Sequence, residues 1–374
     1  MSKIDLRFAD ELKKYGAREF DACFNCGNCT AVCALSEKNT NFPRYMIRLG
    51  MLGLKKEILS SPEPWLCYAC GECSDTCPRQ ADPGLYMAAI RRYTISSCEP
   101  TGITRLMFRS NPLFIIITLL VALILGFFLF TLKPEMVVSR WIFAWLPYAV
   151  IHSMGLVIFG FAGVSAAWGF ASMAIRLSKD QPKGATQKVP VSKALGKVIS
   201  EVANMKRYRD CDEGEDSFWM AKSWWQRPWF IHWSVMWGFI GLLVATSLDF
   251  LLKDPATNNW WPSRILGTIA GILMVYGATQ AISYRLKKVT RIYRETTLAD
   301  WTFLWFLWIA GITGFWLEIA VALGSDNPVN LSVFLIHTVI SMELVLLFAF
   351  SKFAHAFYRP VALFIAFRSG NALK

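Results

Sequence analysis

Eight of the ten cysteines fall into two matching runs. The first reads Cys23-x2-Cys26-x2-Cys29-x3-Cys33, and the second Cys67-x2-Cys70-x2-Cys73-x3-Cys77 followed by Pro78. Thiolates are soft ligands, and four of them at this short interval wrap an iron–sulfur cubane, the fourth of each run reaching across to the other cluster. The spacing therefore predicts one [4Fe-4S] cluster on Cys23, Cys26, Cys29 and Cys77 and a second on Cys67, Cys70, Cys73 and Cys33. Zinc is the alternative, but zinc motifs rarely repeat four cysteines in this way. Gly27 and Gly71 each follow the second cysteine of their run, where the backbone must come close to a cluster. Cys98 and Cys211 fit neither run and read as free thiols.

The chain has four histidines, His152, His232, His337 and His355. The last two stand eighteen residues apart in one apolar stretch, residues 331–357. As a single helix, that stretch would place both imidazoles on one face roughly 27 Å apart, one near each surface of a bilayer. Polar groups inside a membrane are costly and usually functional. Bis-histidine ligation of a b-type haem needs one imidazole from each of two facing helices and a flat apolar slot. The sequence has no Cys-x-x-Cys-His, so such haems would not be covalently attached. A histidine taken singly could instead hydrogen-bond a neighbouring helix.

The elements that must carry these residues are helical. Hydrophobic residues make up 54% of the 374 and charged residues only 18%, a balance that points to a membrane protein with a water-exposed part. Six apolar runs follow Asn111, over residues 112–132, 141–175, 229–252, 265–284, 301–323 and 331–357. The spacer between the cysteine runs, residues 42–59, has helical apolar spacing, so the first part reads as a helical ferredoxin. The fold class expected is all-α: a two-cluster ferredoxin domain over residues 1–105, then a six-helix transmembrane di-haem bundle over residues 106–374. A basic loop, residues 176–228, interrupts that bundle and contains an amphipathic stretch, residues 191–205, ahead of an acidic run.

The net charge of +12 fits positively charged loops on one side of a membrane better than a nucleic-acid partner. Basic residues crowd 176–227 and 285–294, whereas the alternate loops carry few. That asymmetry places the ferredoxin and both termini in the cytoplasm, with Trp141, Trp145, Trp229, Trp233, Trp260, Trp261 and Trp301 near the interfaces. The N-terminus does not read as a signal peptide, and a cytoplasmic cysteine-rich segment argues for metal ligation rather than disulfides.

With this topology the histidines sort by depth into an outer pair, His152 and His337, and an inner pair, His232 and His355. Each pair would hold one b-type haem. A one-electron wire that ends inside a membrane needs a lipid-soluble partner, of which a quinone is the obvious kind. Arg140 and Arg264 on the outer side, and Lys222, Arg227 and Arg359 on the inner, could face haem propionates or serve as interfacial anchors. Asp249, Glu318 and Glu343 could handle quinone protons, though a helix–helix hydrogen bond is the plainer role for each.

A ferredoxin reading CFNCGNCTAVC and CYACGECSDTCP, joined to six spans with four histidines, resembles the membrane C-type subunits of quinone-interacting membrane-bound oxidoreductase (Qmo) complexes of the bacterial inner membrane. Those proteins resemble a fusion of the C- and E-type subunits of heterodisulfide reductase, and their membrane half is similar to the gamma chain of respiratory nitrate reductase. The resemblance implies electron transfer between menaquinol, two b haems, two [4Fe-4S] clusters and two flavoprotein subunits similar to the A-type subunit of heterodisulfide reductase, and onward to adenylylsulfate reductase in sulfate respiration. The eighteen-residue separation of His337 and His355 matches the nitrate reductase pattern. His152 and His232 depart from it, because they lie on different helices here. The chain has no G-x-G-x-x-G fingerprint, so flavin chemistry belongs to other subunits. The same wire could serve a heterodisulfide or sulfite-pathway reductase, and a membrane redox sensor or transporter is the remote alternative.

Overall fold

The computed structural model describes residues 4–36, 41–132, 145–179, 189–212, 218–252, 262–325 and 327–369. Among them every regular element is helical. Six helices are long and apolar enough to cross a membrane: Asn111–Thr131, Tyr148–Ser178, Pro228–Leu252, Pro262–Leu286, Leu298–Ala322 and Pro328–Leu346. Proline at or next to the start of five of them suits a first turn whose N–H groups lack partners in any case. The fifth begins with a capping box, Thr297 and Asp300 exchanging side-chain and backbone bonds.

The N-terminal part is built from short helices around one core. Phe8 and Leu12 of the Phe8–Lys14 helix meet Met46 and Ile47 of Arg44–Met51 and Tyr86, Met87 and Ile90 of Pro83–Cys98. Each such side chain contributes about 1.5–3 kcal/mol on full burial. The Tyr86 hydroxyl donates to the Met46 carbonyl at 2.6 Å, satisfying a polar atom that burial would otherwise penalise. The spacer expected as one helical segment is two, Arg44–Met51 and Lys55–Leu59. The break is Gly53, at φ +69°, where a Cβ would come within 2.3 Å of the Asp5 carbonyl.

The last apolar stretch corrects a second expectation. Residues 331–357 do not form one helix: the sixth span ends at Leu346, a turn follows, and a new helix runs His355–Arg368. Nineteen residues already reach about 28 Å, the thickness of a hydrocarbon core. Beyond them Lys352 forms an ion pair with Asp300 at the start of the fifth span, and the Ser351 hydroxyl accepts from the Phe353 N–H to cap the next turn. These polar anchors hold the chain out of a continuing helix. His337 is consequently the central residue of the sixth span, not a residue at its outer end.

The final helix ties the two parts together. Leu363, Ala366 and Phe367 enter the N-terminal core beside Ala194 and Val198 of Val191–Asn204. Ala354, Tyr358 and Ala362 pack with Trp65 and with Met173 and Leu177 of the second span.

Candidate functional site

The two cysteine loops have the same local geometry. Asn25 and Ala69, each just before the second cysteine, adopt positive φ, as do Gly27 and Gly71 just after it. The N–H of Asn25 points to Cys23 Sγ at 3.4 Å and that of Ala69 to Cys67 Sγ at 3.3 Å. Hydrogen bonds of this kind stabilise thiolates around iron and help set a cluster's potential. Gly27 and Gly71 then open one-turn helices that carry Cys29 and Cys73.

Cys23, Cys26, Cys29 and Cys77 line one cavity, closed on another side by Ile47 and Arg44. The other four sulfurs cluster as well. Burial pushes the Cys33 thiol up to about 12, with Cys67 and Cys70 close enough to add to the shift. Cys73 is raised in the same way, chiefly by burial and then by Cys67, Cys70 and Cys33. Thiols in such surroundings ionise only when a cation compensates, which is what iron supplies. Among the described residues no three His, Cys, Asp or Glu side chains converge on the position of a single ion. Four soft donors around a small cavity suit a cubane.

The loops differ in what covers them. At the first, Cys26 is exposed and the neighbouring Phe24 ring is 59% exposed. The second is roofed by the rest of the chain. Gly71 lies against Ile292 between the fourth and fifth spans, where Arg291 forms an ion pair with Asp82 at 3.3 Å. Arg91 donates to the carbonyls of Pro64 and Cys67. The Arg359 guanidinium sits 3.8 Å over the Tyr68 ring, and burial lowers it to about 10. Cys211, read from the sequence as unconnected to either run, lies beside Cys70 and draws that thiol down. Cys98 is buried with Trp65 and Tyr358.

From the second loop a series of rings leads to two histidines. Tyr68, next to Cys67, stacks on Tyr208 with centroids 5.4 Å apart. Tyr208 meets His232 edge-on at 5.8 Å, and His232 meets His355 at 6.2 Å. That last separation admits one atom bonded by each ring at about 2 Å. Both rings keep one nitrogen free. His355 Nδ1 donates to the Lys352 carbonyl at 2.5 Å, and His232 Nδ1 lies 3.3 Å from the Met205 sulfur, which leaves Nε2 of each as the unprotonated acceptor. Burial lowers His355 to about 4, so it is neutral, as a ligand must be.

His152 and His337 make no ring contact with each other. His152 stacks on Phe250 of the third span at 4.5 Å, and its buried Nδ1 has no protein partner among the described residues. His337 Nδ1 is 2.9 Å from Thr313 Oγ1. That hydroxyl donates to the Ile309 carbonyl at 2.6 Å, so it accepts from the imidazole and leaves His337 Nε2 free. Their helices adjoin, Ile158 of the second span sharing a cluster with Phe334 and Met342 of the sixth.

Of the acidic residues in the spans, Asp249 accepts from Ser263 at 2.6 Å and Glu318 from Thr268 at 2.8 Å, both helix–helix bonds. Glu343 differs: it is 1% exposed and its Oε1 has no partner among the described residues. Among the candidate cations, Arg359 lies by the second cysteine loop, Arg227 donates to the Lys222 carbonyl, and Arg264 lies in the first turn of the fourth span. Arg140, Trp141, Trp260 and Trp261 lie outside the described residues. Tyr208, Arg91 and Cys211 are the site-lining residues that sequence reasoning missed. The amphipathic 191–205 signal predicted a helix at Val191–Asn204 but carried no trace of the partner that the following turn would meet.

Residues 19–81 match the family described as a 4Fe-4S dicluster domain. The chain is 33% identical over 111 residues to a protein of Archaeoglobus profundus described as like the C-type subunit of heterodisulfide reductase, a match covering 28% of this chain and 59% of that one. It is 38% identical over 77 residues to the C-type subunit of the H(2):CoB-CoM heterodisulfide,ferredoxin reductase of Methanothermobacter thermautotrophicus, covering 21% of this chain and 42% of that one. A 29% identity over 115 residues relates it to the fumarate reductase iron-sulfur subunit of Haemophilus influenzae, covering 25% and 42%. The chain thus spans about half the length of these curated relatives. No solved structure matches it. An N-terminal ferredoxin-like part, similar to a 4Fe-4S dicluster domain, is fused in this chain to a membrane part of six long apolar helices.

Proposed function

We propose that this chain is the membrane electron-transfer subunit of a menaquinol-linked oxidoreductase complex of the bacterial inner membrane. The observation that carries the reading is the unbroken series from Cys67 and Tyr68 through Tyr208 to His232 and His355. It joins Tyr68, the chain neighbour of Cys67, to the third span by ring contacts. In this reading Cys23, Cys26, Cys29 and Cys77 hold one [4Fe-4S] cluster and Cys67, Cys70, Cys73 and Cys33 the other. His232 and His355 hold one b-type haem, and His152 and His337, on adjoining helices, a second. These groups supply one-electron chemistry; the chain supplies their order, their burial and the tautomers of their ligands.

The cover that Tyr208, Arg359 and Ile292 give the second cysteine loop, against exposure of Cys26 and Phe24 in the first, supports an order in space. Electrons from menaquinol enter by the histidines, pass the covered second set, and leave at the first set, beside Cys26, to flavoproteins similar to the A-type subunit of heterodisulfide reductase, then to adenylylsulfate reductase. The relatives' names support a second reading, in which the same wire serves a heterodisulfide reductase.

The test is a reduced-minus-oxidised visible spectrum of the purified chain with haem and iron quantified, followed by a menaquinol analogue. Two b haems, about eight non-haem irons and reduction by the quinol are expected. An iron-replete, folded sample without haem bands would overturn the histidine assignment and favour a sensor or transporter. Haem and iron without a response to quinol would overturn the quinone link.

A further inference from the structure

Arg359 stands where the second cysteine loop and the histidines of the third span and the final helix meet. It follows His355 by four residues in the His355–Arg368 helix, so the two share a face with one turn, about 6 Å along the axis, between them. On its other side the guanidinium lies 3.8 Å over the ring of Tyr68, the chain neighbour of Cys67. The same charge acts on His232 and His355 and, in the opposite direction, on the sulfurs of Cys67 and Cys211. Other cations at this junction are committed elsewhere. Arg91 donates to the carbonyls of Pro64 and Cys67 at 2.7 and 2.6 Å, and Lys352 is paired with Asp300. Arg359 Nε, by contrast, is buried and has no hydrogen-bond partner among the described residues. The carboxylate that Arg359 faces is Glu201, which already pairs with Arg207 at 3.8 Å. The positive charge over Tyr68 is therefore only partly offset.

One-electron reduction adds a negative charge to a centre. A cation in a low-dielectric surrounding favours that reduced form far more than a cation in water does, and local charge is one of the levers by which a protein sets the potential of a cluster or a haem. A cation beside one centre alone would tilt the step between two of them. A cation between them raises both and leaves the step nearly level. We propose that Arg359 is a shared electrostatic residue, whose charge raises together the potentials of the second cluster and of the haem on His232 and His355. This inference rests on the cluster and haem assignments proposed above and adds the residue that couples them.

The test is a redox titration of the full chain with its haems and clusters, the haems followed by visible absorption and the clusters by electron paramagnetic resonance. Loss of one signal in Cys77→Ser and of another in His355→Ala tells the centres apart. Arg359→Gln should shift the reduction equilibrium of the second cluster and of the haem on His355 about tenfold each, a fall of about 59 mV for a one-electron couple, while the first cluster and the other haem keep their potentials. Arg359→Lys keeps the charge and should recover most of that fall at both centres; a residue needed only for its planar packing over Tyr68 would not be rescued in this way. Glu201→Gln removes the facing carboxylate and should move both potentials the other way, about three-fold, which supplies the reading if Arg359→Gln does not fold. A change at one centre only, an equal fall in Arg359→Lys, or fixed potentials in whichever variant loads both centres would overturn the proposal and leave the cofactor assignments standing. Unsubstituted protein without haem bands would overturn both.

Discussion

His355 shows how one side chain is made fit for a ligand's role. Its Nδ1 is held by the carbonyl of Lys352, three residues back, so the ring can turn neither tautomer nor plane without breaking that bond. His355→Ala should therefore lower haem from two per chain to one, measured as the pyridine haemochrome, with the non-haem iron content unchanged. The sulfurs invite a parallel experiment. Cys77 lines the cavity of the first run although it belongs to the second in sequence. Cys77→Ser should reduce non-haem iron from about eight to about four per chain and alter the electron paramagnetic resonance spectrum of one cluster only. Loss of all iron would mean that the two sets fold as one unit; loss of none would mean that Cys77 is not a ligand.

Among the elements, the breaks matter more than the helices. Gly53 turns the chain between two short helices at φ +69°, against the backbone of Asp5. Gly53→Ala meets both a strained conformation and a close contact, and should destabilise the N-terminal part by about 1–3 kcal/mol, seen as earlier iron release on heating. The turn after Leu346 depends on a charged pair. Asp300 is buried and caps the fifth span, while Lys352 is partly exposed, so the pair is neither a fully buried bridge nor a surface one. Asp300→Asn keeps the cap and removes the charge. It should cost about 1–3 kcal/mol and shift the midpoint potential of the haem on His355, whereas a merely structural role would leave that potential in place.

At the scale of the whole molecule, the two parts do not end where the sequence changes character. The C-terminal helix buries Leu363, Ala366 and Phe367 among residues of the ferredoxin-like part, and Tyr358 stacks on Trp65 at 5.4 Å. Opening one part must expose core belonging to the other. Phe367→Ala should cost about 3–5 kcal/mol and bring iron and haem release to lower temperature together. Release of iron alone, at an unchanged temperature for haem, would show that the parts unfold independently.

Local patterns carried far in this chain. The x2-x2-x3 runs marked the iron–sulfur part because ligand spacing is a property of adjacent residues, and the six spans were legible because apolar length is too. Helix at Val191–Asn204 was legible for the same reason. Three things were not. The break after Leu346 depends on the pairing of Lys352 with Asp300, fifty-two residues apart in sequence. The neighbours of the second cysteine loop, Tyr208, Cys211, Arg359 and Ile292, come from three separate segments. The placing of His337 at the outer end of its span assumed one straight helix through residue 357, and that assumption failed with the break. The sequence by itself determined which residues could do chemistry and which stretches could lie in a membrane, since both follow from neighbours along the chain. Only the tertiary structure decided which of them meet, because contacts across helices are set by packing and buried charge, and neither leaves a periodic mark.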